Sequence, residues 1–162
     1  MKKLAALLIG MSLVPSLVAQ AGGTLQTATV TLTSAQVQSL KASPVTLIPA
    51  PGVGNYLNIV AVVLQYKAGS TPYAVPSGGH FSLLLGVGGS ASGPIESSDL
   101  SATGFLDQSQ NHIRVPRISS IANAQSNLEN RALTVTNDGG AEWTAGDGTI
   151  VVTVNYNVVA LQ

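Results

Sequence analysis

Apolar and polar positions alternate most regularly at the C-terminal end of the chain. Ile150, Val152, Val154, Tyr156, Val158 and Ala160 share one parity, and Val151, Thr153, Asn155, Asn157, Val159 and Leu161 share the other. Successive side chains of a strand point to opposite faces, so residues 150–161 read as one strand. Its first face is wholly apolar and is expected to be buried. Its second is polar in the middle. At ~3.4 Å per residue the strand is roughly 40 Å long, above the usual ~17–20 Å, a length that suits a sandwich or a fibre. A second strand over residues 132–136, with Leu133 and Val135 inward, leads into it through a glycine-rich loop with turn signals at Asp138-Gly139 and Asp147-Gly148.

The same reading places further strands upstream. Residues 25–33 alternate Ala28, Val30 and Leu32 against Thr27, Thr29, Thr31 and Thr33, a half-buried strand with a hydroxylated outer face. Thr33-Ser34-Ala35-Gln36 has the form of a capping box, and Val37 and Leu40 follow at helical spacing. Residues 45–48 are a short strand, closed by a turn through Pro49, Pro51, Gly52 and Gly54. Residues 56–66 are apolar on both parities: Val60, Val62 and Leu64 on one, Leu57, Ile59, Ala61 and Val63 on the other. Such a strand needs cover on both sides, from a folded-over loop or from a second subunit. Leu57, Ile59 and Val63 are therefore the candidate subunit interface. Residues 81–87 form a buried strand, and a glycine–serine loop runs to Pro94. Ile113 and Val115 mark a short strand, while Ile118, Ile121 and Leu128 mark scattered core contacts. The spacing predicts an all-β, single antiparallel β-sandwich, jelly-roll-like, with about seven to eight strands and at most one short helix.

Composition narrows the function. The 162 residues allow one domain. Hydrophobic residues make up 45% and charged ones only 9%, so Thr, Ser, Asn, Gln and Gly must cover the surface. Without Lys2 and Lys3 the chain has five basic residues against seven acidic ones. Nothing in it would neutralise a run of phosphates, which argues against nucleic-acid binding. The absence of cysteine removes disulfides and thiolate metal sites.

The N-terminus has a layout of its own. Met1-Lys2-Lys3 precedes an apolar run over residues 4–14, then Pro15, then Ala19-Gln20-Ala21. That is the arrangement of a secretory signal peptide cleaved before Gly22. The expected division is residues 1–21, a signal peptide or apolar N-terminal arm, and residues 22–162, the β-sandwich. After leader removal no segment is expected to engage a membrane. Cleavage would place the protein in the periplasm or outside the cell.

Candidate chemistry is sparse. His80 and His112 are the only imidazoles, one at a strand entrance and one in the weakest-patterned region. No serine sits in a Gly-x-Ser-x-Gly elbow. Gly86-x-Gly88-x-x-Ala91 fits the loose dinucleotide fingerprint, but Gly93-Pro94 follows where a helix must open. Glu96, Asp99, Asp107, Glu129, Asp138, Glu142 and Asp147 have neither glycosidase nor calcium-loop spacing, and aspartate before glycine is ordinary turn chemistry. No catalytic residue, metal ligand or cofactor is assigned, and the chain is read as a non-enzyme. Two aromatic residues lie in loops. Tyr73 sits among Gly69, Pro72 and Pro76, and Trp143 is the only tryptophan. Trp143 is either an exposed anchor for a sugar or protein or a lid packed over the end of the sandwich. Tyr73 and Trp143 are the candidate partner-binding positions, with a surface glycan as the ligand class.

Four pieces of the chain carry a likeness. They are Leu32-Thr33-Ser34-Ala35-Gln36; Ser43-Pro44-Val45 with Pro49-Ala50-Pro51-Gly52; Glu129-Asn130-Arg131-Ala132-Leu133; and Gly146-Asp147-Gly148-Thr149. In this order the chain resembles small β-sandwich proteins encoded in tailed-bacteriophage and prophage genomes. The resemblance implies a non-enzymatic virion component of head decoration, coat, tail or fibre type, partnered by other virion proteins and by copies of itself. It carries over no site residues. The leader departs from it, since tailed-phage particles assemble in the cytoplasm. Either residues 1–21 stay as an arm that docks on a neighbouring subunit, or the module is a secreted bacterial binding protein.

Overall fold

The computed structural model describes residues 23–76, 79–86, 101–118 and 125–162. The leader, the glycine–serine loop after Gly86, Glu96, Asp99 and Ile121 lie outside them. Among the described residues the elements are β1 (Gln26–Leu32), α1 (Ser34–Gln38), β2 (Val45–Ile48), β3 (Asn55–Lys67), β4 (Tyr73–Ala74), β5 (Phe81–Leu85), β6 (His112–Arg114), α2 (Gln125–Leu128), β7 (Leu133–Asn137), β8 (Thr144–Ala145) and β9 (Thr149–Ala160). The two helices are single turns. The first is closed by the expected capping box: the Thr33 hydroxyl accepts from the Gln36 amide and the Gln36 side chain accepts from the Thr33 amide.

A four-stranded sheet in the order β1-β9-β3-β6 faces a three-stranded sheet in the order β2-β7-β5, every pairing antiparallel. These seven strands change sheet at each step along the chain, which is the connectivity of a jelly roll. β7 and β9, which read in sequence as two strands joined by a turn-rich loop, lie in opposite sheets, so the loop between them crosses the sandwich. β4 and β8 pair in a two-stranded ribbon.

One core fills the space between the sheets. Leu32, Val62, Leu64, Ile150, Val152 and Val154 enter it from the first sheet, and Leu83, Leu85, Leu133 and Val135 from the second. The predicted inner face of β9 is closed only through Val154. Tyr156 and Val158 are half-buried and Ala160 is exposed, while their β3 neighbours Ile59 and Leu57 are buried. Val37 and Leu40 are fully buried, and the Thr136 hydroxyl donates to the Leu40 carbonyl, fixing the α1 segment at the corner of the sandwich.

The doubly apolar pattern of residues 56–66 has a local explanation. The β3–β9 register runs Leu57–Val158, Asn58–Asn157, Ile59–Tyr156 and then Ala61–Asn155, leaving Val60 unpaired in a β-bulge. One extra residue inverts the parity of everything after it. Leu57, Ile59, Val62, Leu64 and Tyr66 therefore all point inward, with exposures of 6% or less. Asn58, Val60, Ala61, Val63 and Gln65 face away. The expectation that Leu57 and Ile59 form a subunit interface is corrected by this bulge: both are core residues of the monomer.

Loops over the end of the sandwich are tied by side chains. The Glu142 carboxylate accepts from the Lys41 and Ala42 amides at 3.0 and 2.7 Å, while the Lys41 Nζ donates to the Gly139 and Gly140 carbonyls. Asp147 accepts from the Ser70 hydroxyl at 2.6 Å and the Thr71 amide at 2.9 Å. The Ser70 hydroxyl first, then the backbone donors, hold this exposed carboxyl below its ordinary pKa. A folded-state pKa below the unfolded one, roughly 3.9, stabilises the fold above that value and is lost as pH falls through the folded one. Asp147→Asn is accordingly expected to melt with a shallower acid dependence than the wild type below about pH 4. Thermal melts between pH 2.5 and 5 check it, and parallel acid limbs would contradict it.

Candidate functional site

The loop aromatics do not reach the surface. Trp143 is 0% exposed and lies edge-on to Phe81, with ring centroids 4.5 Å apart. Tyr73 is 2% exposed, donates its hydroxyl to the Gly148 carbonyl at 2.6 Å and tilts against Tyr66. Burial first, then Tyr66 and Asp147, push its phenol upward from the ordinary tyrosine range, so it stays protonated and donating. Phe105 joins Tyr66 to Phe81, and the Arg114 guanidinium stacks 4.8 Å over the Phe105 ring. The five rings plug one end of the sandwich. The reading of Tyr73 and Trp143 as exposed partner-binding anchors is corrected on this ground: neither ring can be presented to a sugar or protein without opening the core. Gly79 and Gly148 gave a signal for this. A Cβ at Gly79 would lie 2.7 Å from the Trp143 Nε1, and one at Gly148 would lie 2.5 Å from the Tyr66 ring.

The histidines do not build a reacting pair. Asp138 stands between His80 and Ser82, its carboxylate 3.8 Å from the His80 Nδ1 and accepting from the Ser82 hydroxyl at 2.5 Å. The carboxylate takes the serine proton's hydrogen bond, so the imidazole is not placed to receive it. His112 is half-buried in β6 and belongs to a different part of the sandwich. Among the described residues no three of His, Cys, Asp or Glu converge as a metal site.

What the fold does present is the outer face of the four-stranded sheet. The register sets its rows. Thr31, Val151, Gln65 and Ile113 lie side by side; next come Thr29, Thr153 and Val63; then Thr27, Asn155 and Ala61, with Val60 bulging beside them. None of these ten side chains before the bulge carries a charge. Thr27 donates to the Asn155 side chain at 2.8 Å, and the Thr29 and Thr153 hydroxyls meet at 3.4 Å. Ile113 is 71% exposed and Val60 47%, with Val115 beside the former also exposed. Of the three candidate interface residues, Val63 alone faces outward. Val60, Val151 and Ile113 were missed in sequence; Val60 was put on the wrong parity by the unseen bulge.

No family model matches the chain, and no curated protein matches it. Among solved structures it is similar to a chain of the cyanophage Pam1 capsid asymmetric unit, at 19% identity over 96% of this chain and 93% of that one, with a TM-score of 0.45. It is also similar to a chain in the structure of a mud crab tombus-like virus, at 8% identity over 100% and 94% of the two chains, with a TM-score of 0.25. Both structures are of viruses. Likenesses this remote assign no role to the chain, and the reading below stands on its own surface.

Proposed function

We propose that this protein is a structural subunit of a phage particle that works by contact with neighbouring subunits, without catalysis. Jelly rolls serve as viral capsid domains, as lectins and as cupins, so the fold does not choose among them. The site does. Lectin and cupin chemistry needs convergent polar or metal-binding groups in a cleft, whereas among the described residues the loop aromatics Tyr73 and Trp143 are spent on the plug and the loop carboxylates Glu142 and Asp147 on the ties. The observation that carries the proposal is the outer face of the four-stranded sheet, where charge is confined to Lys67 at the end of β3 and Val60, Val63, Val151 and Ile113 lie outside a core that is already complete. Such a face suits a subunit contact better than free solvent. Head decoration or coat is the placement we favour, with fibre as the variant, and the copy number per particle from the same experiment separates them.

Mass spectrometry of gradient-purified particles, released by cells that carry the gene, tests the role. Many copies per particle are expected, and absence from particles overturns it. The N-terminal residue of the particle-borne protein bears on the leader. A start at Met1 or Lys2 means that residues 1–21 act as a retained arm. A start at Gly22 means export.

A further inference from the structure

The first sheet has an edge that lacks the guards a strand's own sequence can supply. β1 is its outermost strand, with β9 on one side and no hydrogen-bonded strand on the other among the described residues; β2 belongs to the other sheet. Natural edge strands are protected by charge, by proline, by a bulge or by shortness. β1 has none of these. It is seven residues long, above the usual 5–6. Its register with β9 is unbroken from Gln26–Tyr156 to Leu32–Ile150, whereas β3 and β2 both carry irregularities. No charged residue or histidine occurs between Lys3 and Lys41.

We infer that β1 pairs antiparallel with β1 of a second copy, about a two-fold axis at Thr29, joining two four-stranded sheets into one of eight. The strand is complementary to itself in that register. Thr29 meets the second copy's Thr29, Thr27 meets its Thr31, Ala28 meets its Val30, and Gln26 meets its Leu32, so all seven residues are used. The outer row is all threonine, and the inner row is apolar at Ala28 and Val30 with the polar Gln26 set against Leu32 at its ends. Thr–Thr pairs are favourable cross-strand neighbours, and no like charges oppose. The hydroxyl row already formed by Thr153 and Thr29 continues into the second copy. The two outer faces thereby merge into one surface, twice as wide, with uncharged threonine rows at its centre. The pairing is isologous and closes on itself, so β1 does not propagate into a fibre. Its use in a particle rests on the assembly reading above; the pairing itself stands on β1.

The chain has no cysteine, so Thr29→Cys introduces a single thiol. Residues directly opposed in an antiparallel pair have Cα atoms ~4.5–5.5 Å apart, inside the window a disulfide spans. Under mild oxidation at micromolar concentration T29C is expected to form a covalent dimer at least about tenfold faster than Val53→Cys, placed in a turn where the residue is 82% exposed. Thr29→Lys sets two ammonium groups against each other and is expected to weaken the dimer about tenfold by analytical ultracentrifugation, and mixing it with Thr29→Glu is expected to restore dimers. Cross-linking of T29C no faster than V53C, or a T29K dimer as tight as the wild type, overturns the pairing. Slow amide exchange along β1 in a monomeric protein also overturns it, because the chain's own N-terminal segment then covers the edge. Cross-linking by a protein absent from particles keeps the pairing and removes the virion role; presence in particles without cross-linking does the reverse.

Discussion

Replacing Trp143 by alanine is expected to lower the stability of the fold by about 3–5 kcal/mol, the range for truncating a large buried aromatic side chain. The residue is fully enclosed, touches Phe81 edge-on and sits where Gly79 leaves no room for another atom. Alanine would open a cavity that the neighbouring rings cannot collapse into, since Phe81, Phe105, Tyr66 and Tyr73 are each held by others of the set. Against a typical domain stability of roughly 5–15 kcal/mol this is a large share of the total, equivalent to roughly 10–15 °C in Tm for a domain of this size. Trp143→Phe is expected to lose much less. It keeps a ring in the plug, and the indole Nε1 has no hydrogen-bond partner among the described residues to give up. Urea denaturation of the two variants checks both. A small loss in W143A would mean that the ring is not enclosed, and would return it to the surface as an anchor.

That outcome bears on what could be read from the sequence. Strand positions were legible wherever a single parity held. β1, β7 and β9 follow from Val30 and Leu32, from Leu133 and Val135, and from the long alternation beginning at Ile150. The capping box at Thr33 was legible because it is local, complete within four residues. Pairing was not. The alternation of strands between two sheets joins residues more than a hundred positions apart, as in Gln26 with Tyr156, and no local pattern encodes it. Tyr73 and Trp143 misled for a related reason. Glycine and proline around them mark turns, and turns are ordinarily at the surface. Here the turns fold their rings back over the end of the core, and the glycines are needed because the rings come so close. The outer face was half legible: the threonines of β1 announced it, but its apolar centre was hidden by the bulge.

The bulge itself supplies the sharpest test of the fold. Deleting Val60 and Ala61 together is expected to destabilise the protein by at least roughly 3 kcal/mol. Deleting Val60 alone is expected to cost much less, because it straightens the bulge and leaves Ile59–Tyr156 and Ala61–Asn155 as consecutive pairs. With both removed, β3 can keep only one of its halves in register. If the half from Val62 onward stays, Leu57 and Ile59 turn out to solvent. If the half before it stays, Val62, Leu64 and Tyr66 do so instead. Exposing a large apolar side chain costs roughly 1.5–3 kcal/mol, so even the cheaper choice loses two of them. Val60→Ala and Val60→Thr, which keep the residue count, are expected within about 0.5 kcal/mol of the wild type. The contrast separates the length of the strand from the chemistry of the residue. It also tests the outer surface, because the same inversion that buries Ile59 and Val62 together is what sets Val63 outward beside Thr153. Equal stability of the double deletion and the substitutions would mean that β3 has no parity switch at this point, and both the core assignment of Leu57 and Ile59 and the composition of the open face would have to be redrawn.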